Sequence, residues 1–127
     1  KTAAWVAKKT GMLNYQADRV QDPETNLAIG QAYLAMVLAD LDDLPILATA
    51  AYNAGPGRPK AWRASFSAPV EGAIFAETIP FNETRGYVKH VLANAALYGA
   101  TTGKQAKSLS TWLGKVTPKA AVGSDLP

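Results

Sequence analysis

A helix-start signal in the first quarter of the chain constrains the fold more than any other feature. Asp22-Pro23-Glu24 combines a capping residue, a proline at the first helical position and an acid in the first turn. Apolar residues then recur at helical spacing: Leu27, Tyr33, Leu34, Val37, Leu38 and Leu41. This pattern predicts a helix from residue 23 to about residue 41 that buries one broad face.

Similar start and stop signals divide the rest of the chain. Pro45 begins an alanine-rich helix that runs to about Asn53, and Gly55-Pro56-Gly57 ends it. Further helices are predicted at 2–10, 59–64, 69–78 and 82–98. Asn82 is the expected cap of the last one. Because the sequence has no strand alternation of useful length and no internal repeat, we predict an all-α fold.

The composition fits one globular domain followed by an extension. The chain has 127 residues, of which 48% are hydrophobic and 18% charged, so it has enough apolar surface to form a core. After Gly99 the sequence becomes small and polar, and Trp112 anchors a predicted helix at 104–116. We therefore predict a domain at 1–100 and a C-terminal extension at 101–127, with one short helix and a loose tail over 117–127.

Several classes of site and partner are excluded by the residues the chain lacks. Cysteine is absent and His90 is the one histidine, which excludes thiol nucleophiles, Cys–Zn sites and multi-histidine metal sites. We predict no metal and no cofactor. The net charge of +3 is scattered and no groove-reading motif is present, so no nucleic-acid partner is predicted. No apolar run approaches the roughly 20 residues of a transmembrane segment.

Two polar segments carry the candidate binding residues. In AAYNAGPGR, Tyr52 and Asn53 end a helix just before Gly55, where a tyrosine ring can face a sugar and an amide can bond an N-acetyl or hydroxyl group. In NETRGYV, Glu83 and Tyr87 share one helical face at the i and i+4 positions. The residues alone leave two alternatives open: a core tyrosine with a C-capping asparagine, and a glutamate that only complements the helix dipole.

Taken together, three segments resemble the soluble lytic murein transglycosylases. They are DPETNLAIGQAYL at 22–34, AAYNAGPGR at 50–58 and IPFNETRGYVKHVL at 79–92, and the resemblance covers about residues 2–100. It implies a lysozyme-like helical catalytic domain, truncated at its N-terminal side. Members of this family cleave the β-1,4 bond between N-acetylmuramic acid and N-acetylglucosamine in peptidoglycan without adding water, and they leave a 1,6-anhydromuramyl end.

The resemblance also implies roles for the candidate residues. Tyr52, Asn53 and Gly55 match the segment that lines the cleft near the muramyl N-acetyl group. Glu83 matches a position expected to orient substrate or to support the catalytic acid, and Tyr87 matches a second cleft tyrosine. These five residues are the predicted substrate-binding and supporting set.

The catalytic acid of the family has no counterpart in this sequence. That glutamate lies in a Glu-Ser motif followed by a Gly-Leu-Met-Gln segment, both upstream of the helix that ends near Gly11, and neither motif occurs here. Since Lys1 is not a natural first residue, we expect a processed or truncated chain. No catalytic residue is assigned, and the chain is expected to be inactive, or nearly so, by itself.

The resemblance further implies the setting in which such a chain works. The expected partners are peptidoglycan glycan strands and the chain's own missing N-terminal segment. The expected location is the periplasm of a Gram-negative bacterium, in association with the outer membrane. Two alternatives stay open: a hydrolase of the goose-lysozyme kind, and a non-catalytic peptidoglycan-binding fragment.

Overall fold

The computed structural model describes residues 2–12, 22–103, 107–123 and 126–127. Across these residues the chain forms seven helices and two strands of two residues each. In chain order the elements are α1 Thr2–Thr10, α2 Pro23–Asp40, α3 Pro45–Ala54, α4 Gly57–Ala64, β1 Val70–Glu71, α5 Gly72–Thr78, α6 Asn82–Thr102, α7 Leu109–Leu113 and β2 Lys115–Val116. The all-α prediction is confirmed, and the structure adds one short antiparallel ladder between β1 and β2.

The start of α2 follows the local sequence signal. The Asp22 carboxylate accepts a hydrogen bond from the Thr25 backbone N–H at 3.2 Å, and Pro23 is the first helical residue. The predicted cap of α6 is wrong, because Phe81 precedes the helix and Asn82 lies inside its first turn. The Asn82 side chain instead accepts a hydrogen bond from Arg85.

Helix α3 forms the centre of the core. It contacts α2, α4, α6 and α7, and five of its ten residues are buried: Ile46, Leu47, Ala48, Ala50 and Ala51. Three of these are alanines, whose small side chains let the neighbouring helices approach closely. The other helices and β2 complete the core with Val37, Leu41, Phe75, Ala76, Ile79, Val88, Leu92 and Val116. The burial of α3 therefore fixes where the other helices lie.

The predicted buried face of α2 is only partly correct. Val37 and Leu41 are fully buried, but Leu27 is 61% exposed and Leu34 is 39% exposed, while Ile29 is buried in their place. Apolar periodicity sets the helical period, but the neighbouring elements decide which side is covered. The exposed leucines form one wall of an open groove.

A glycine allows the C-terminal part of the chain to pack against α5. The sequence predicts a helix over 69–78, but the helix begins at Gly72, because the two residues before it pair with β2. The Gly72 N–H donates to the Gly114 carbonyl at 2.8 Å. A Cβ atom at Gly72 would lie 2.0 Å from the Leu113 carbonyl oxygen. No side chain fits in that space.

A buried arginine joins α4 to two distant segments. Arg63 is 5% exposed and donates through Nε and Nη2 to the Thr117 carbonyl at 3.1 and 2.9 Å. Its Nη1 donates to the Asp42 carboxylate at 2.8 Å, and Lys119 bonds the same carboxylate at 3.0 Å. Asp42 follows α2 in a left-handed conformation with φ 58°. The guanidinium charge is thus paired and hydrogen-bonded, as a buried charge requires.

The predicted loose tail differs from the structure. We call residues 117–123 and 126–127 the C-terminal strap; the remaining tail residues, 124–125, lie outside the described part. Besides the contacts with Arg63 and Asp42, Lys60 donates to the Val122 carbonyl at 3.2 Å, and Leu126 packs against the core. The hydrogen-bond and ion-pair partners of these strap residues lie more than 50 positions away along the chain, so local sequence signals do not reveal them.

Residue 100, the predicted end of the domain, lies inside α6. This helix continues to Thr102 and ends at Gly103, which has a left-handed φ of 68°. The predicted helix at 104–116 corresponds to α7, and its first three residues, 104–106, lie outside the described part. Trp112 of α7 packs against the core, and α7 contacts α3, α5 and α6. The division of the chain at residue 100 therefore stays a prediction.

The close approach of Leu113 to Gly72 predicts that one added methyl group at Gly72 destabilises the fold. Gly72→Ala forces the backbone at Leu113 to move, and overpacking of this kind destabilises by about 1–3 kcal/mol. Gly86→Ala is the matched control, since a Cβ in that α6 position meets nothing within 4 Å and should stabilise by about 1 kcal/mol. Urea unfolding of both variants measures the difference. Equal stability of the two variants would contradict this packing.

The Asp42 network predicts an acid-dependent loss of stability. Hydrogen bonds from Arg63 and then Lys119 hold the pKa of the Asp42 carboxyl below its usual value of 3.8. A depressed folded-state pKa adds stability that is complete above the unfolded-state pKa and is lost as the pH falls through the folded-state pKa. Asp42→Asn should therefore be less stable at pH 6 by about 1 kcal/mol or less, because the carboxylate is partly exposed.

The difference should decrease as the pH falls below 3.8 and through the lowered folded-state pKa of Asp42, which unfolding curves between about pH 2 and pH 6 can measure. Asp43→Asn is the control, because Asp43 has a similar left-handed φ of 56° and asparagine tolerates that conformation. A stability loss for Asp42→Asn that is the same at every pH would rule out the charged network as its cause.

Candidate functional site

An open groove of about 350 Å³ lies where α2, α3 and α6 meet. Its lining residues come from all three helices: Asn26, Leu27, Gly30, Gln31, Leu34, Thr49, Tyr52, Tyr87 and Val91. They combine apolar side chains with two tyrosines and two amides, and none of them carries a formal charge at neutral pH. Such a lining suits a neutral ligand that has apolar faces and polar edges.

Tyr52 presents an aromatic surface to this groove. It lies in the last turn of α3 and is 51% exposed, although the two residues before it, Ala50 and Ala51, are buried. Its ring is tilted by 52° against the ring of Tyr33, with the two centroids 6.2 Å apart. One part of the ring therefore packs on protein while the rest is available to a ligand.

Gly55 ends α3 in a conformation that only glycine adopts readily. Its φ of 87° and ψ of 151° lie in a region that a Cβ atom disfavours strongly. Its N–H still donates to the Ala51 carbonyl at 2.7 Å, which closes the last turn of the helix. The chain then turns into α4, and Tyr52 and Asn53 are left in the final turn of α3. Gly55 itself does not line the groove.

Asn53 connects α3 to the beginning of α6. Its Oδ1 accepts a hydrogen bond from the Thr84 hydroxyl at 2.7 Å, and Thr84 is only 2% exposed. Asn53 is not among the groove-lining residues, although Tyr52 beside it is one. The amide therefore fixes the distance between two helices that form the groove.

Tyr87 lines the groove, while Glu83 lies outside its lining. Glu83 is exposed in the first turn of α6, one helical turn before Tyr87 and next to Thr84. The structure thus brings the two predicted tyrosines, Tyr52 and Tyr87, into one groove. The other three predicted residues lie beside it, at the end of α3 and the start of α6.

The sequence did not reveal that α2 supplies an entire wall. Leu27, Gly30, Gln31 and Leu34 line the groove, whereas the apolar periodicity of the sequence predicted that the two leucines are buried. Gly30 was the feature of the sequence that could have indicated this wall, because a glycine inside a helix lowers helix stability by about 1 kcal/mol relative to alanine. A Cβ at Gly30 would meet nothing within 4 Å, so the glycine opens space here.

A second and larger depression, of about 600 Å³, lies on the other side of α6. Its lining combines alanines, Gly86 and two leucines with the charged residues Glu77, Arg85 and Lys89. Lys89 bonds Glu77 there at 2.6 Å and lowers the pKa of that carboxyl. None of the five predicted binding residues lines this depression, so the tyrosine groove is the better candidate site.

Comparison with protein families identifies two matching segments. The family model described as the transglycosylase SLT domain matches residues 1–73, which is more than half of the chain. The family model described as the soluble lytic transglycosylase helical domain matches residues 78–106. Together the two segments include all five predicted site residues.

Proteins with similar sequences are named soluble lytic murein transglycosylases. A soluble lytic murein transglycosylase of Salmonella typhimurium is 40% identical over 110 residues, which cover 86% of this chain and 17% of that protein. One from Escherichia coli is 43% identical over 98 residues, which cover 76% of this chain and 15% of that protein. The chain thus spans less than a fifth of the length of these relatives.

Solved structures show the same fold. An inactive glutamate-to-glutamine mutant of the lytic transglycosylase Slt from Pseudomonas aeruginosa has a TM-score of 0.74 at 33% identity, covering 96% of this chain and 18% of that one. The 70 kDa soluble lytic transglycosylase from Escherichia coli has a TM-score of 0.77 at 38% identity, covering 89% of this chain and 18% of that one. Among the described residues, no helix is long and apolar enough to cross a membrane. The chain belongs to the transglycosylase SLT domain family.

Proposed function

We propose that this chain forms the glycan-binding wall of a peptidoglycan lytic transglycosylase. The observation that carries the proposal is the uncharged groove that contains both Tyr52 and Tyr87. A sugar ring has apolar C–H faces and polar edges, which match an aromatic surface flanked by amides. The relatives named soluble lytic murein transglycosylases support peptidoglycan as the substrate.

The proposed reaction cleaves the β-1,4 bond between N-acetylmuramic acid and N-acetylglucosamine. A carboxylic acid first protonates the glycosidic oxygen, and the N-acetylglucosamine leaves with its bonding electrons and that proton. The resulting carboxylate then takes the proton of the muramyl 6-hydroxyl as this oxygen bonds to the anomeric carbon. One carboxyl group is restored, no water is consumed, and the product ends in a 1,6-anhydro ring.

We propose that the catalytic carboxyl group comes from a segment outside residues 1–127. A general acid must come within hydrogen-bonding distance of the oxygen it protonates, and no carboxylate lines the groove among the described residues. The inactive relative carries a glutamate-to-glutamine change, which supports an essential glutamate in that protein. The chain alone would then bind glycan without cleaving it.

The residues beside the groove receive supporting roles in this proposal. The Asn53 carbonyl oxygen bonds Thr84, and its amide N–H groups are suited to the carbonyl of a muramyl N-acetyl group. Glu83, one turn before Tyr87, orients the glycan or supports the catalytic acid. The turn at Gly55 directs the backbone away from the bound glycan strand.

The proposed setting follows from the same substrate. The proposed partners are peptidoglycan glycan strands and the segment of the parent protein that carries the acid. The proposed location is the periplasm of a Gram-negative bacterium, near its outer membrane.

A relative at 37% identity was solved in complex with bulgecin A. We propose that bulgecin A competes with glycan strands for the groove of this chain.

The groove predicts that one tyrosine contributes much of the glycan affinity. Tyr52→Ala should weaken binding of soluble glycan strands at least tenfold, because truncation of a central aromatic contact typically costs about 2 kcal/mol. Tyr98→Ala is the control, since Tyr98 lies on α6 outside the groove and is 72% exposed. Calorimetric titration measures both affinities. An affinity within twofold of the unmodified chain for Tyr52→Ala would exclude the groove as the glycan site.

The proposed origin of the acid predicts when turnover occurs. The 127-residue chain should release no product from peptidoglycan, because no carboxylate lines its groove among the described residues. A chimera that joins the upstream catalytic segment of the Escherichia coli relative to this chain should release 1,6-anhydromuropeptides, which mass spectrometry distinguishes from hydrolysis products by the mass of one water.

Each contrary result has a defined meaning. Release of anhydromuropeptides by the chain alone would place the general acid within it, and Glu83→Gln would be the first variant to examine. Products heavier by one water would favour a hydrolase of the goose-lysozyme kind. Tight glycan binding by both the 127-residue chain and the chimera, without turnover by either, would favour a non-catalytic peptidoglycan-binding module.

A further inference from the structure

We propose that Tyr33 is a positioning residue for Tyr52, and that the C-terminal strap fixes Tyr33 in place. The inference rests on the proposed function, because it assigns the strap a part in shaping the glycan groove. Tyr33 belongs to α2 but does not line the groove. It would therefore act on the glycan only through Tyr52.

Two contacts place Tyr33 between the strap and the groove. Its hydroxyl donates to the Pro127 backbone oxygen at 2.7 Å, across 94 positions of sequence. Its ring packs against the ring of Tyr52 with centroids 6.2 Å apart at 52°. This distance and tilt are typical of an attractive aromatic pair. One side chain thus joins the end of the strap to the aromatic surface of the groove.

The environment keeps the Tyr33 hydroxyl a donor. Partial burial, followed by the electrostatic effect of Tyr52, raises the pKa of the Tyr33 phenol. The protonated phenol therefore persists through neutral and mildly alkaline pH. Only this form can donate to the Pro127 oxygen, because a phenolate has no hydrogen to give.

The strap is held along its length, so its last residue has a defined position. Arg63 and Lys60 of α4 hold the carbonyl groups of Thr117 and Val122. Leu126 packs against the core immediately before Pro127. These anchors limit where the Pro127 oxygen can lie, and that oxygen in turn limits the rotation of the Tyr33 ring.

The consequence for binding concerns the order of Tyr52 before a ligand arrives. A half-exposed tyrosine on a helix end has several rotamers, and a ligand that needs one of them binds more weakly when the others are populated. The Tyr33 ring excludes some of those rotamers. Loss of the strap contact therefore lowers affinity without removing any group that touches the glycan.

A ligand-free measurement tests the positioning role directly. Tyr33→Phe keeps the ring and removes the hydroxyl, and deletion of Pro127 alone removes the acceptor while Leu126 stays. Both changes should shift the ring resonances of Tyr52 in NMR spectra and leave those of Tyr98 unchanged. Unshifted Tyr52 resonances in either variant would overturn the proposal, as would shifts of the same size at Tyr98.

Binding of soluble glycan strands supplies the second test. Tyr33→Phe should weaken binding about two- to tenfold, the range expected for one hydrogen bond. Tyr33→Leu, which also removes the ring contact, should weaken it more. Neither change should weaken binding further when Tyr52 is already alanine, because Tyr33 acts through that ring. Equal losses of glycan affinity with Tyr52 intact and with Tyr52→Ala would mean that Tyr33 only supports the fold in general, and would overturn the inference.

The two proposals fail in different ways. If Tyr52→Ala binds glycan normally, the proposed function fails, and the NMR measurement still decides whether Tyr33 and the strap orient Tyr52. If Tyr52→Ala loses affinity while Tyr33→Phe retains it within twofold, the groove remains the glycan site and the role of the strap is excluded.

Discussion

The close packing around α3 is the constraint on which the rest of the structure depends. A helix in contact with four others must carry small side chains where the backbones approach, and Ala48, Ala50 and Ala51 supply them. Its buried run stops at Tyr52, where the helix reaches the surface, and Gly55 then turns the chain away. The packing that stabilises the core therefore also places an aromatic ring at the edge of the groove.

Fold and site share residues at this edge. The hydrogen bond between Asn53 and Thr84 joins the end of α3 to the beginning of α6, and these two helices each supply one groove tyrosine. A polar residue can thus matter to a binding site without lining it, by setting the separation of the helices that do. The proposed glycan contacts and the stability of the core are for this reason not independent properties of the chain.

The features that the sequence predicted are those whose causes are local. The Asp22 cap, the start of α3 at Pro45 and its end at Gly55 each depend on a few adjacent residues. The polar segments made Tyr52 and Tyr87 candidates, and the family resemblance then assigned both of them to a cleft. The features that it did not predict depend on distant partners. Leu27 is exposed because no described element covers it, Gly72 is required because Leu113 packs on it, and Tyr33 bonds the oxygen of Pro127. Periodicity carries no information about such long-range contacts.

The buried Arg63 has a consequence for the order in which the chain folds. Its partners, Asp42 and the Thr117 carbonyl, lie 21 and 54 positions away, on opposite sides of it in sequence. Closing the longer loop costs more chain entropy and gains little until the guanidinium has been oriented by the shorter one. We therefore expect α2 to α4 to assemble first and the strap to dock late. Amide hydrogens of the strap should then exchange with solvent through partial openings that leave α3 protected.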